Sequence, residues 1–104
     1  MDKETIKIIK SFLRKLSKKI KVEKAILFGS RARGDNFKSS DFDVIIISDD
    51  FKKTNFLDRI PFVLKYWNYS YDLEPICYTK EEFEKKKKEV SFRKIIKEGK
   101  QINF

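Results

Sequence analysis

Ile6, Ile9, Leu13, Leu16 and Ile20 follow one another at steps of three and four residues with lysines between them, so the chain opens with an amphipathic helix from about Lys3 to Ile20. A different pattern comes next. Lys24-Ala25-Ile26-Leu27-Phe28 is a short apolar run closed by Gly29, which reads as a strand buried on both faces. Residues 29–41 are small, polar and basic. They lead into Phe42-Asp43-Val44-Ile45-Ile46-Ile47, a second buried strand with Asp41 and Asp43 at its start. Phe56, Ile60, Val63, Leu64 and Trp67 mark another helix, with Pro61 in its first turn if it begins near Asp58; an earlier start implies a kink. Tyr71 to Tyr78 reads as a third strand, in which Asp72 and Glu74 share a face and Pro75 points to an edge or an irregularity. Thr79-Lys80-Glu81-Glu82 has capping-box spacing, so a final helix starts at Thr79, runs through the lysines at 85–88, is interrupted near Ser91 and ends at Gly99.

This order of elements predicts one α/β (α+β) domain over residues 1–104, with a small mixed sheet and helices packed mainly on one face. A length of 104 residues allows a single core and no second domain, and no repeat or linker interrupts it. With 40% hydrophobic residues, 10 of them Phe, the chain carries enough apolar material to fold, and Trp67 and the phenylalanines belong to the core. Part of that apolar surface is expected to serve a dimer or a partner helix. The 25 Lys+Arg against 16 Asp+Glu give a charge of +9, which favours nucleotides, nucleic acid or acidic proteins as partners. The lysines at 85–88 read as a solvated helix face. One cysteine, Cys77, rules out an internal disulfide and reads as a small buried hydrophobe in a reducing, cytoplasmic setting. The lack of histidine removes histidine-based triads and argues against structural zinc. No apolar run is long enough to cross a bilayer, and Met1–Ile20 is too charged for a signal peptide.

Candidate chemistry concentrates in Gly29-Ser30, a basic stretch containing Arg31 and Arg33, and Asp41-Phe42-Asp43. Two aspartates one residue apart on a strand project the same way, their backbones roughly 6–7 Å apart, and can converge on a metal ion. Oxygen ligands without nearby nitrogen or sulfur suit Mg²⁺ or Mn²⁺, which borrow further ligands from water and phosphates. A third acid from the neighbouring strand, Asp72 or Glu74, could complete the cluster. Gly29 lets the backbone approach a ligand, and Ser30 with the amides that follow offers donors to a triphosphate if they open a helix. Arg31 and Arg33 add cationic forks. The alternative is ordinary surface charge, in which either arginine pairs with Asp35 or Asp41.

Together, Gly29-Ser30, Arg31-Ala32-Arg33-Gly34-Asp35, Ser40-Asp41-Phe42-Asp43 and a later acid resemble the DNA polymerase beta-like nucleotidyltransferase superfamily, and within it the minimal nucleotidyltransferase (MNT-type) domains. The likeness extends through Cys77-Tyr78-Thr79-Lys80-Glu81-Glu82-Phe83. It implies transfer of a nucleoside monophosphate, AMP from ATP as the commonest case, to a hydroxyl acceptor with release of pyrophosphate. By that likeness Asp41 and Asp43 bind Mg²⁺ or Mn²⁺ and Gly29 with Ser30 holds the terminal phosphates. The third carboxylate, which joins the metal set, helps to deprotonate the acceptor. Asp72 is favoured there by residue type and the Asp-Leu dipeptide, while Glu74 fits the spacing equally well. The resemblance also implies a helical HEPN-type partner in a toxin–antitoxin pair, with a homodimer as the other arrangement. Two competing functions stay open: a catalytically silent nucleotide-binding or toxin-neutralising module, and, less favoured, a basic nucleic-acid-binding protein.

Overall fold

The computed structural model describes residues 1–104. Helix α1 spans Lys3–Ser17, strand β1 Lys24–Phe28, helix α2 Gly29–Arg33, strand β2 Phe42–Ile47, helix α3 Phe56–Leu64, strand β3 Leu73–Tyr78, helix α4 Lys80–Lys86, helix α5 Val90–Glu98 and strand β4 Lys100–Gln101; a 3₁₀ turn, Asp49–Lys53, follows β2. The strands form one mixed sheet in the order β3-β2-β1-β4. β1 is antiparallel to both β2 and β4, and β2 is parallel to β3.

Alternation sorts the strand side chains into two layers. Ala25, Leu27, Phe42, Val44, Ile46, Leu73 and Cys77 face α1 and α3 in a core of 16 buried residues. Ile26, Ile45 and Ile47 face Phe83 of α4 and Phe92 of α5 in a second cluster of 5. The expected main layer is present, and a smaller one covers the opposite face. Trp67 joins the main core edge-on to Phe12 and Phe42, with ring centroids 5.2 Å from each. Cys77 is buried, and burial pushes its thiol up to about 12, so it is an inert core group.

Several boundaries depart from the sequence pattern. α1 stops at Ser17, and a turn then lays Ile20 against the core. Its start is fixed by Asp2, whose carboxylate accepts from the Thr5 amide at 2.7 Å. α3 begins at Phe56, two residues before the expected start, so Pro61 lies inside the helix. Pro61 and Leu57 are both exposed, which leaves the carbonyl that the proline cannot serve on the solvent side. The capping box at Thr79 and Glu82 forms as expected, and the expected interruption falls earlier than Ser91, at residues 87–89, so the lysine run is helical only to Lys86 and Val90 opens a second helix. β4 was not anticipated; two exposed residues carry no alternation, and the pairing is anchored by buried Ile102, whose amide donates to the Ala25 carbonyl at 2.9 Å.

β3 is an edge strand, as Pro75 suggested, and its open side is blocked. The carbonyls of Asp72 and Tyr78 accept from β2 and the residue after it, so the backbones of Pro75 and Cys77 face outward. Pro75 has no N–H to offer, and the Cys77 carbonyl accepts from Arg59 Nη1 at 3.3 Å. No helix is long and apolar enough to cross a membrane.

Candidate active site

On the face carrying the smaller cluster, three strands each present one row: Lys24, Ile26 and Phe28 on β1, Asp43, Ile45 and Ile47 on β2, and Glu74, Ile76 and Tyr78 on β3. The helices cover Ile45 and Ile47 but leave Asp43 half-buried and Glu74 exposed. The register sets Asp43 opposite Phe28 on one side and Glu74 on the other. The register sets the carboxyl groups of Asp43 and Glu74 side by side, close enough for each acid to act on the other. Burial, the neighbouring Glu74 carboxyl and the charge of Asp41 push Asp43 up to about 6, while Arg33 pulls the other way.

Gly29 closes the other side. It directly follows β1 and has a φ of +74°, a left-handed backbone that side chains disfavour. A Cβ there would collide with Asp43 Oδ2. The bare Cα thus lets the carboxylate lie against the turn, and half-exposed Ser30 follows in α2. Gly34 ends α2 with a φ of +85°, and its amide donates to the Ser30 carbonyl at 2.9 Å.

The structure therefore brings Gly29, Ser30, Asp43 and Glu74 to one end of the sheet. Exposed Asp41, at the entry to β2, acts on Asp43 through its charge. Asp72 lies outside this group: it precedes β3, is exposed, and is not the residue the register places beside Asp43. Arg33 is exposed and pairs with Asp35 at 3.2 Å and with Glu98 of α5 at 3.8 Å. It still lies near enough to act on Asp43 through its charge.

Arg31 departs from the expected ligand-facing role. It is 2% exposed. Nε donates to the Ser40 carbonyl at 2.9 Å, Nη2 to the Lys38 carbonyl at 2.9 Å, and Nη1 to Thr5 Oγ1 at 2.8 Å. The guanidinium also stacks over Phe42 at 4.0 Å and Tyr71 at 4.7 Å. Its donors point inward and hold the loop leading into Asp41 against α1. A second buried arginine, Arg59, was also not anticipated: it binds Glu82 at 2.6 Å and ties α3 to α4. Neither has a local sequence signal, since the partners lie far along the chain.

No three acidic, histidine or cysteine side chains converge into a ready-made cage for a metal ion. The donor set nonetheless fits a hard cation. Magnesium needs only one or two carboxylates beside water and phosphate oxygens, and neighbouring acids whose charges raise the pKa of Asp43 are the arrangement a divalent ion relieves. Asp43 and Asp41 would hold it, with Glu74 beside them.

Paired acids beside a glycine turn at one end of a mixed sheet define a site suited to metal-assisted phosphoryl transfer. The nucleotidyltransferase domain family matches residues 6–103, and the chain belongs to that family. Over 81 residues it is 37% identical to a Methanocaldococcus jannaschii protein provisionally named a protein adenylyltransferase, covering 74% of this chain and 82% of that one. The crystal structure of a Sulfolobus solfataricus protein described as a nucleotidyltransferase superposes with a TM-score of 0.67 at 23% identity, over 92% of this chain and 77% of that one, a likeness of fold. A second crystal structure given the same description has a TM-score of 0.55 at 27% identity and covers 95% and 98% of the two chains. This protein is accordingly a nucleotidyltransferase-type enzyme.

Proposed function

We propose that the protein transfers AMP from ATP to a hydroxyl group of another protein and releases pyrophosphate. The observation that carries this reading is the Asp43–Glu74 pair set beside the side-chain-free Gly29 turn. In this arrangement Gly29 and Ser30 receive the terminal phosphates, and Asp43 and Asp41 take the magnesium ion. Bound there, Mg²⁺ would neutralise phosphate charge and polarise the reacting oxygens. Glu74, rather than Asp72, takes the proton of the acceptor hydroxyl. The hydroxyl oxygen then forms a bond to the α-phosphorus as the bond from that phosphorus to the pyrophosphate oxygen breaks. Arg33, exposed at the mouth, offers its charge to the leaving phosphates.

The name of the M. jannaschii relative supports a protein acceptor and adenylyl as the transferred group. A helical HEPN-type toxin is the acceptor we favour, in a cytoplasmic toxin–antitoxin pair. The outer face of α3 supports a protein partner: Phe56, Leu57, Ile60 and Leu64 are all exposed there. The test is incubation of the purified protein with α-phosphate-labelled ATP, Mg²⁺ and the product of the neighbouring gene. Label on the partner, lost in Asp43→Asn, supports the enzyme. A tight complex without label would instead establish the silent, neutralising module.

A further inference from the structure

The positive charge is unevenly spread. Residues 1–24 hold nine Lys and Arg against three acids, so two-thirds of the net +9 lies in less than a quarter of the chain. On α1, Lys3, Lys7, Lys10 and Arg14, continued by Lys18 in the turn, recur at steps of four, three, four and four. They form one line opposite the buried stripe Thr5, Ile8, Ile9, Phe12, Leu13 and Leu16. Fifteen residues of helical rise make that line roughly 22 Å long, with cations about 5–6 Å apart.

These five cations make no ion pairs, whereas many lysines elsewhere have an acid one turn away: Lys52 with Asp49, Lys53 with Asp50, Lys85 with Glu81 and Lys87 with Glu84. The acids nearest the line are already engaged. Asp2 caps α1, and Glu4 accepts from the Tyr71 hydroxyl at 2.5 Å. Beside the line, Glu4, Lys7, Ile8 and Ser11 of α1 face Tyr69, Ser70 and Tyr71 across a groove of about 410 Å³, with Glu4 held on the Tyr71 hydroxyl. The Lys15 ammonium sits 5.3 Å from the Tyr69 ring. Unpaired cations in a row beside an aromatic groove are the features that bind a phosphate backbone with unpaired bases.

We infer that α1 and the Tyr69–Tyr71 groove bind single-stranded nucleic acid. This surface lies on the main-core face of the sheet, away from Asp43 and Glu74, and does not depend on the transferase reading.

The test uses the full chain and a fluorescein-labelled 15-nucleotide oligouridylate RNA, read by anisotropy from 50 to 300 mM salt. With five phosphate contacts, log affinity should fall against log salt with a slope of about −3.5. Lys7→Gln/Lys10→Gln/Arg14→Gln should reduce that slope by about 2 and weaken binding at least about tenfold at 50 mM salt. Arg93→Gln/Lys94→Gln/Lys97→Gln removes the same charge from α5 and should change binding much less. If the α1 triple variant does not fold, Lys3→Gln/Lys18→Gln at the ends of the line should lower the slope by about 1.4. Equal losses from the α1 and α5 variants would overturn the assignment, as would no measurable binding. Polyglutamate competing as well as the RNA at equal charge would point to an acidic polypeptide, and an RNA duplex competing as well would exclude single-strand recognition. Asp43→Asn should bind the RNA like the parent, so failure of transfer and failure of this inference are distinguishable.

Discussion

Asp43 and Glu74 occupy matched positions on adjacent parallel strands, and their neighbouring carboxyl groups repel one another when both are charged. Removing either acid should relieve like-charge repulsion in the free protein while damaging transfer. Asp43→Asn and Glu74→Gln are each expected to lower the labelling rate about a hundredfold or more. Asp72→Asn should leave it within about threefold, because Asp72 precedes β3 and the register places Glu74, not Asp72, beside Asp43. A loss confined to Asp72→Asn would reverse the assignment of the third carboxylate.

The same pair sets a pH dependence. The ordinary value for an aspartate is 3.8, and in the fold Asp43 is pushed up to about 6. The folded chain thus holds a proton that the unfolded chain has released between those values, so this group's contribution to stability falls as pH rises from about 4 through 6 and is flat above. Glu82 and Asp2 are shifted downward, and their contributions are lost only as the pH falls below the ordinary carboxylate range. Melting temperatures of the metal-free protein from pH 4 to 7 should therefore decline, and Asp43→Asn should flatten the decline. Over the same interval Mg²⁺ affinity by calorimetry should rise with pH, since cation and proton compete for the same oxygens.

How much of this was legible in advance depended on where the determining contacts lie. β1 and β2 match their apolar runs residue for residue, because burial on both faces is written locally. The choice between Asp72 and Glu74 was not local. Alternation puts both on one face, and only the β2–β3 register, which pairs Phe42 with Leu73 and Asp43 with Glu74, separates them. Arg31 sits among surface-type residues in sequence, yet its partners are residues 5, 38, 40, 42 and 71. Nothing within a few positions of Arg31 distinguishes it from Arg33, which remained outside.

That contrast between two arginines is measurable. Arg31→Met should destabilise the fold by about 2–4 kcal/mol, since it strands two carbonyls and a hydroxyl and loosens the loop before Asp41. Arg33→Ala should cost no more than about 0.5 kcal/mol, because its ion pairs are exposed. Arg33→Ala should nevertheless raise the Asp43 pKa further, visible by NMR titration of the carboxyl carbon, because a neighbouring positive charge is lost.

Gly29→Ala tests the close approach of the turn to Asp43. The new methyl would meet Asp43 Oδ2 and sit at a φ of +74°, so a cost of about 2–4 kcal/mol and loss of transfer are expected. Removing the carboxylate separates the two causes. If contact contributes, Gly29→Ala should cost less in an Asp43→Ala background than alone, with a coupling of at least about 1 kcal/mol in denaturant unfolding. Additive effects would leave backbone strain as the only reason for glycine there.

Glu82 serves two purposes, and substitutions can separate them. Its Oε1 accepts from the Thr79 amide at 2.8 Å, which completes the capping box of α4, and from Arg59 Nη1 at 2.6 Å. Arg59 is buried and its Nε has no partner, so the guanidinium depends on this acid and on the Cys77 carbonyl. Glu82→Gln keeps an oxygen acceptor for Thr79 but removes the charge facing Arg59; Glu82→Ala removes both. The alanine variant should lose about 1 kcal/mol more than the glutamine variant, the usual contribution of a helix cap. Burial raises the Glu82 pKa while the bonds from Arg59 and Thr79 lower it further, to a net value below the ordinary 4.5. The parent should accordingly lose stability on acidification below about pH 4.5 by a larger amount than Glu82→Gln, whose neutral side chain does not titrate. Identical acid limbs for the two proteins in urea titrations would show that the Arg59–Glu82 bond makes no net contribution to the fold.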